Sequence, residues 1–210
     1  MGKIHPDLAG AYTRSVGNVV YYLKDGENFA RTKSKAPYTS NTPAQQEQKG
    51  KFSDLSQLGS VMQEVAKVGL VQRKRGLSAI NAFHSVNKDC FTQAEGEKAS
   101  IDYENLKCSQ GPLYPPVVTA TLDNETSTVA FNCPAMPDAT NCNAKDVVYG
   151  VLLDTENGFC HLLRLCDRGE GGTAQAVLSA YWNTDAIVAY AFVVSNNGRK
   201  ASKTLFVSVS

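Results

Sequence analysis

The chain has 210 residues, of which 42% are hydrophobic and 20% are charged, and its formal net charge at pH 7 is +1. This length is sufficient for one large domain or two small ones with a substantial core. No stretch reaches the about 18 apolar residues of a membrane-spanning helix, so the sequence predicts no membrane span. No secretory signal is visible after Met1, which predicts a cytoplasmic location and leaves non-classical export open.

The charge is distributed unevenly along the chain. Residues 1–92 carry 13 Lys and Arg against 7 Asp and Glu, whereas residues 93–210 carry 8 against 13. This asymmetry predicts a division of the chain near residue 92 and makes the first part a candidate for a polyanionic partner. The alternative is an ordinary solvated basic surface, which solubility alone requires.

The first clear element is a β-hairpin around Asp25 and Gly26. This dipeptide favours a two-residue type I′ turn, because both of its residues tolerate a positive φ. The turn sets the register of the strands, and a lone hairpin must pack on another element to be stable. We expect it to pack on the following helix. The predicted cross-strand pairs are Tyr22 with Phe29, Tyr21 with Ala30, and Val20 with Arg31.

Helix signals follow the hairpin. Thr42 is a suitable N-cap, Pro43 fits the first helical position and Gln45 completes a capping box. Gly59 suggests close packing, for which the hairpin is the expected neighbour. Apolar residues at three- and four-residue steps predict one amphipathic helix as far as Gly69. They are Phe52, Leu55, Leu58, Met62, Val65 and Ala66.

A second helix is predicted from the Ser78 N-cap to about Cys90. Residues 1–100 therefore form an α+β region of one β-hairpin and two helices. After residue 100 the pattern changes to strands, beginning with a predicted strand over 101–108 and a proline-rich loop. Seven further short strands separated by turn clusters are predicted at 117–122, 127–132, 146–153, 159–166, 174–180, 186–195 and 202–209.

Seven short strands over about 95 residues are typical of an all-β immunoglobulin or fibronectin III-like sandwich. The second domain is therefore predicted over residues 101–210. Period-two alternation assigns a set of side chains to the core between its sheets. The set comprises Val129, Phe131, Tyr190, Phe192, Val194, Leu205, Val207 and Val209.

The six cysteines contain no Cys-x-x-Cys pair and have no histidine at zinc-finger spacing. Free thiols in a reducing compartment are favoured over disulfides, because no secretory signal is visible. If any cysteines pair, Cys133 and Cys142 are the most able to meet, since they flank one loop.

The sequence contains no nucleophile elbow, metalloprotease helix, phosphate-binding loop or dinucleotide fingerprint. His84 and His161 fit structural positions on a helix and a strand. Cys160 and Cys166 fit buried strand positions rather than reactive thiols. The sequence therefore predicts a non-enzyme with no cofactor and no metal site.

Basic residues near the hairpin are the candidate partner-binding residues. Arg31, Lys33 and Lys35 share one face of a strand by period two, and Lys49 and Lys51 follow on the helix. Aromatic residues interleave with them, a combination that single-stranded nucleic-acid binders use. The alternative is that the aromatic residues form core and the cations a solvated rim.

Tyr181 and Trp182 raise a second binding possibility. If these two side chains are exposed, they could stack on a sugar, whereas the alternative is that they close one end of the sandwich. The first hypothesis is therefore a non-catalytic binding or structural protein with a protein or glycan partner. The second is a nucleic-acid-associated protein that uses the basic hairpin region. The sequence does not predict the oligomeric state.

Several short motifs occur together in residues 1–115. They are Met1-Gly2-Lys3-Ile4, Gly17-Asn18-Val19-Val20, Arg31-Thr32-Lys33-Ser34, Thr42-Pro-Ala-Gln45, Lys49-Gly-Lys51-Phe52, the Asn81 and Asn87 pair, and Ser109-Gln110-Gly111-Pro112-Leu113. In these motifs the chain resembles an uncharacterised family of small proteins from Bacteroidota. Thr32 and Gln110 depart from the Ser and Arg of that pattern. The resemblance implies an architecture and a lineage, and it implies no catalytic residue.

Overall fold

The structure, a computed structural model, describes residues 2–4, 13–33, 42–92 and 99–210. It divides into two compact units, Met1–Thr42 and Pro43–Ser210. The second unit contains both helices and strands, so the contacts divide the chain earlier than the change in composition does. Whether residues 1–100 and 101–210 are separate domains stays a prediction.

The first unit contains one antiparallel sheet. Asp25 and Gly26 have φ values of 54° and 81°, as the predicted type I′ turn requires. The three predicted cross-strand pairs form, including Tyr22 opposite Phe29. That the hairpin packs on the first helix stays a prediction. The strands are β1 (Gly2–Ile4), β2 (Arg14–Val16), β3 (Val19–Lys24) and β4 (Glu27–Thr32), in the order β1-β4-β3-β2.

The second unit begins with helices α1 (Pro43–Val61) and α2 (Gln63–Gly69). The start at Pro43 and the end at Gly69 agree with the sequence. The single predicted helix is nevertheless interrupted at Met62, whose φ of −89° and ψ of 17° leave the helical region. Met62 is fully buried at this junction. None of the helices in the described part of the chain has the length and hydropathy that a bilayer crossing requires.

Helix α3 (Ala79–Asn87) begins after Ser78, whose side chain accepts a hydrogen bond from the Asn81 backbone N–H, as a Ser N-cap does. The helix ends three residues before the predicted Cys90. Its last residue, Asn87, is buried and bonds to the backbone N–H and C=O of Lys107. Asn87 thereby ties α3 to the segment that leads into the strands.

Two larger antiparallel sheets and one short pair complete the unit. The predicted strand over 101–108 forms only at its start, because Asp102 accepts hydrogen bonds from the backbone and side chain of Asn105 and makes a local turn. The strands are β5 (Phe91–Thr92), β6 (Ser100–Ile101), β7 (Thr119–Asp123), β8 (Thr128–Cys133), β9 (Val147–Asp154), β10 (Cys160–Asp167), β11 (Gly172–Val177), β12 (Ile187–Val194) and β13 (Leu205–Val207). They form three sheets with the strand orders β10-β9-β12-β13, β11-β8-β7 and β5-β6.

The four-stranded sheet is covered on both faces. One face shares a core with the three-stranded sheet, to which β12 contributes Ala189, Ala191 and Val193. The other face shares a core with the helices. Burial on both faces explains why β12 is an almost continuous apolar run. The second unit therefore has three layers, with helices on one sheet and a second sheet behind it.

The predicted core assignment is corrected in one respect. Val129, Phe131 and Val207 lie between the two sheets, as expected. By contrast, the side chains of Tyr190, Phe192 and Val194 belong to the core shared with the helices. Alternation separates these three residues from their neighbours correctly. Alternation does not reveal which face of the four-stranded sheet packs on the helices and which packs on the other sheet, because both faces are buried.

Candidate functional site

The structure places the five predicted binding residues in different parts of the chain. Arg31 and Lys33 lie at the end of the hairpin in the first unit, and Lys35 lies outside the described residues. Lys49 and Lys51 lie on α1 in the second unit. The four described residues thus belong to two different units, and each pair is described by itself.

On the hairpin, the Arg31 guanidinium lies 5.9 Å from the centroid of the Tyr22 ring. The Tyr22 and Phe29 rings stack with their centroids 5.7 Å apart. Arg31 and Lys33 are exposed. One sheet face therefore combines two stacked aromatic rings with a cation above one of them.

On α1, the Lys51 ammonium pairs with Glu47 at 2.6 Å, one helical turn earlier. The same ammonium lies 5.9 Å from the centroid of the Phe91 ring, and 22% of the Lys51 side chain is exposed. Lys49 is exposed and takes no part in this cluster. Among the described candidate binding residues, Lys51 is therefore the one that lines a concave surface.

That concave surface is a groove of about 590 Å³ between α1 and α3. We call it the cationic groove, because two Lys side chains and no carboxylate line it among the described residues. Phe52 in its wall is 64% exposed and meets His84 edge to face, with ring centroids 5.3 Å apart. The residues that define it are Lys51, Phe52, Leu55, Ile80, His84 and Lys88.

Gly59 explains how His84 reaches α1. A Cβ at this position would lie 3.1 Å from His84 Nε2, which is tighter than ordinary contact. The close packing expected at Gly59 therefore involves α3 within the second unit. The His84 Nε2 atom is buried and forms no hydrogen bond with the described residues.

A second cleft, of about 680 Å³, lies along the other side of α1. We call it the acidic cleft, because three carboxylates and no Lys or Arg line it among the described residues. The two clefts take different residues of the same helix, Phe52 and Leu55 for the groove and Asp54 and Leu58 for this cleft. The residues that define the acidic cleft are Asp54, Gln57, Tyr103, Asp154, Glu156 and Asn157.

Asp154 holds one wall of the acidic cleft in place. It is fully buried, and its carboxylate accepts hydrogen bonds from the backbone of Glu156, Asn157 and Asn183 and from the Asn157 side chain. Burial alone would raise the pKa of this carboxyl, but these hydrogen bonds outweigh burial and hold its pKa below the ordinary value. The fixed charge makes Asp154 a structural residue of the turn after β9.

Aromatic side chains border the same turn. Gly158 lines the acidic cleft, and the next residue, Phe159, stacks on Trp182 with ring centroids 6.0 Å apart. Phe159 is 41% exposed and Tyr181 is more exposed still. Trp182 is partly buried against the core between the sheets. The exposed Tyr181 is compatible with stacking on a sugar, and the partly buried Trp182 is compatible with closing one end of the sandwich.

All six cysteines are free thiols. Burial raises the pKa of Cys90 to about 11 and of Cys160 to about 12, and it raises the pKa of Cys108 well above the ordinary thiol value. Burial and a hydrogen bond with Cys133 raise the pKa of Cys166 to about 12. These four groups are therefore protonated at neutral pH, which disfavours nucleophilic thiol chemistry.

Within the described residues, no group of three or more His, Cys, Asp and Glu side chains is arranged to hold a metal ion. His161 lies exposed on β10. The acidic cleft was not predicted from the sequence, because Asp54 lies about 100 positions before Asp154 and Glu156 and the three carboxylates follow no motif. Phe52 gave a misleading signal, since it continues the apolar repeat of α1 and is nevertheless exposed.

Comparison with known families gives one match. Residues 11–208 match the model described as Family of unknown function (DUF6266). Neither the curated proteins nor the solved structures contain a significant match to the chain. The resemblance to an uncharacterised family is therefore confirmed, and its taxonomic part stays a prediction.

Proposed function

The chain belongs to DUF6266, a family of unknown function, and we propose from the geometry that it is a non-catalytic binding protein. Its partner is an acidic segment of another protein that carries an apolar anchor residue. The segment binds in the cationic groove. The observation that carries this proposal is Phe52, a large apolar side chain left 64% exposed in the wall of a groove.

An exposed aromatic residue in a groove between helices is a typical anchor for peptide recognition. Leu55 and Ile80 supply apolar surface beside Phe52, and the pocket between them fits one large side chain of a partner. An isolated exposed apolar residue needs no explanation, but one in a concave apolar setting supports a contact surface.

The lysines of the cationic groove favour a partner segment with acidic residues. Lys51 and Lys88 line the groove, and no carboxylate joins them among its described lining residues. Lys51 pairs with Glu47 one helical turn earlier, and Lys88 lies 3.8 Å from Asp89, so partner carboxylates would extend existing ion pairs. Cations at the rim favour an acidic partner mainly by speeding its approach.

Two features support the proposal of a non-catalytic protein that presents a β-sandwich. The raised thiol pKa values of Cys160 and Cys166 remove the thiols that were the strongest nucleophile candidates. A four-stranded and a three-stranded antiparallel sheet that share one core support a fibronectin III-like sandwich. A cytoplasmic location and an origin in Bacteroidota remain predictions.

The proposal is tested by selecting peptides from a random display library on the full chain. We expect the selected peptides to be enriched in Asp and Glu around one large apolar residue. Affinity for a selected peptide should fall at least about tenfold in Phe52→Ala, as expected for an anchor contact. The Lys51→Glu variant should weaken binding as well.

Val177→Ala and Lys203→Glu are the matched controls, because both positions are exposed and neither lies in the groove. Both controls should bind like the wild-type chain. Selection of basic or charge-neutral peptides, or binding that Phe52→Ala leaves unchanged, would contradict the proposal.

The second candidate function is single-stranded nucleic-acid binding by the hairpin. The Tyr22–Phe29 stack with Arg31 above it favours this function, because nucleic-acid binders combine stacking surfaces with cations. Fluorescence anisotropy with a labelled single-stranded oligonucleotide at several salt concentrations tests it. Replacing Arg31 and Lys33 by Ala should weaken binding and flatten its salt dependence. Absence of binding at low salt would eliminate this candidate.

A further inference from the structure

We propose that the acidic cleft is a binding site for a neutral carbohydrate. The proposal concerns a different surface from the cationic groove and does not depend on peptide binding there. The acidic cleft has a volume of about 680 Å³, which falls within the range of about 300–1,000 Å³ that small-molecule sites occupy.

The charge of the lining excludes one class of ligand. Asp54, Asp154 and Glu156 contribute carboxylates, and no Lys or Arg is present among the described lining residues. Among the described lining residues, a phosphate, sulfate or carboxylate group would meet carboxylates and no cation, which is costly at short range. The ligand is therefore neutral or cationic.

The remaining polar groups favour a neutral ligand that both donates and accepts hydrogen bonds. Tyr103 presents a phenol whose pKa burial and the Asp54 charge raise, so it remains a donor at neutral pH. Gln57 adds an amide with donors and an acceptor. The phenol and the amide also accept hydrogen bonds. A ligand with sugar hydroxyls can therefore pair both functions of each group, whereas an ammonium can only donate to them.

The wall of the cleft is already organised for recognition. The buried Asp154 fixes the turn after β9 through its four hydrogen bonds. The Asn183 side chain donates to one oxygen of Glu156 at 2.6 Å, and the other oxygen accepts no hydrogen bond from the described residues. Glu156 is thus oriented and retains an acceptor for a ligand hydroxyl. A preorganised wall reduces the entropic cost of binding.

An exposed aromatic side chain follows this polar wall along the chain, outside the cleft lining itself. Phe159 follows Gly158 of the cleft lining and stacks on Trp182. A pyranose ring has a polar edge of hydroxyl groups and an apolar face of C–H groups. Carboxylate and amide groups next to an exposed aromatic side chain match these two surfaces, since aromatic residues with a polar surrounding suit ligands that are apolar on one side and wet on the other.

The test uses a glycan array with neutral, amino and anionic oligosaccharides, followed by calorimetry with the best-bound oligosaccharide. The full chain should bind neutral glycans and reject sulfated and uronic acid glycans. Glu156→Gln should lower the affinity about tenfold or more, which corresponds to loss of one good contact, and Phe159→Ala should lower it by less. Glu125→Gln and Tyr114→Ala are matched controls on exposed positions outside the cleft and should bind normally.

Thermal unfolding of each variant separates lost binding from lost folding, and Asp54→Asn provides a second lining variant should Phe159→Ala unfold. Binding of anionic glycans, or binding of no glycan by the wild-type chain, would overturn the proposal. So would binding of Lys- and Arg-rich peptides in place of glycans with the same sensitivity to Glu156→Gln, because it would identify a cationic occupant. Phe52→Ala should leave glycan binding intact, so failure here is distinguishable from failure of the peptide proposal.

Discussion

The two clefts beside α1 share a helix and differ in almost everything else. The cationic groove is made by two helices, and its surface is mainly apolar with Lys51 and Lys88 at its border. The acidic cleft is made by α1 against a strand turn, and it is the more polar of the two, with carboxylates in its wall. One helix thus lines two clefts whose described charged residues have opposite sign.

The walls of the two clefts also differ in how they are held. Asp154 and its hydrogen bonds fix the acidic wall, whereas side-chain packing around Gly59, including the edge-to-face contact of His84, forms the groove. Hydrogen-bonded walls hold polar groups in fixed directions, which specific recognition of hydroxyl groups requires. Apolar grooves tolerate small shifts of side chains and suit a peptide anchor.

The largest expected effect comes from removing all three helices, including the one that the clefts share. A fragment of residues 101–210 leaves Val151, Leu153 and Tyr190 without the helix core that buries them. We expect it to aggregate or remain unfolded, because the uncovered sheet face is apolar, whereas residues 43–210 should fold. Circular dichroism and size-exclusion chromatography compare the two fragments. A folded, monomeric 101–210 fragment would instead support the division at residue 100.

The next-largest expected effect is on the wall of the acidic cleft that Asp154 holds in place. Asp154→Ala leaves four donor groups without their acceptor in a buried setting, so we expect the free energy of unfolding to fall by about 3 kcal/mol. Urea unfolding measures the change. Glu125→Gln on an exposed loop serves as a control with little effect. A change below about 1 kcal/mol would indicate that the turn does not depend on this carboxylate.

Acid should affect the same wall. The lowered folded-state pKa of Asp154 means that its ionised form stabilises the fold, and this stability is present above the unfolded pKa of about 3.9. It is lost as pH falls through the lower folded pKa. Asp154→Asn should therefore reduce the loss of stability in acid. The rest of the acid dependence includes Asp102 and Asp123, whose pKa values are also lowered by hydrogen bonds. Unfolding measured between neutral and strongly acidic pH compares the two proteins, and identical profiles would contradict the assignment.

The smallest expected effect is on the groove. Phe52→Ala should change the free energy of unfolding by no more than about 0.5 kcal/mol, because the side chain is mostly exposed. Phe83→Ala on the buried side of α3 should cost about 3–5 kcal/mol, and it is the matched aromatic comparison. Thermal and urea unfolding distinguish the two. A large cost at Phe52 would show that this residue is a core residue and not a docking residue.

Local sequence signals predicted local structure well. Asp25-Gly26 fixed the hairpin register, Pro43 marked the start of α1 and Ser78 capped α3, as the structure confirms. Each of these signals acts through neighbouring backbone groups. They therefore need no information about distant parts of the chain.

Tertiary features were harder to predict. Period two in β12 separates Tyr190 from Ala189 but does not say that helices bury the Tyr190 face. The acidic cleft joins Asp54, Tyr103 and Glu156, which only the packing of α1 on the sheet brings together. Of the five predicted binding residues, Lys51 alone lines a described cleft, because linear clustering of charge does not determine concave surface.

The central claim, which combines the two proposals, is that the two sides of α1 are separate sites for different classes of ligand. Calorimetry of the wild-type chain, Phe52→Ala and Glu156→Gln with a selected acidic peptide and an array-selected neutral glycan tests it most directly. We predict that Phe52→Ala loses affinity for the peptide alone and that Glu156→Gln loses affinity for the glycan alone. If either variant weakened both ligands equally while remaining folded, or if neither variant weakened its own ligand, the claim of two separate sites would be contradicted.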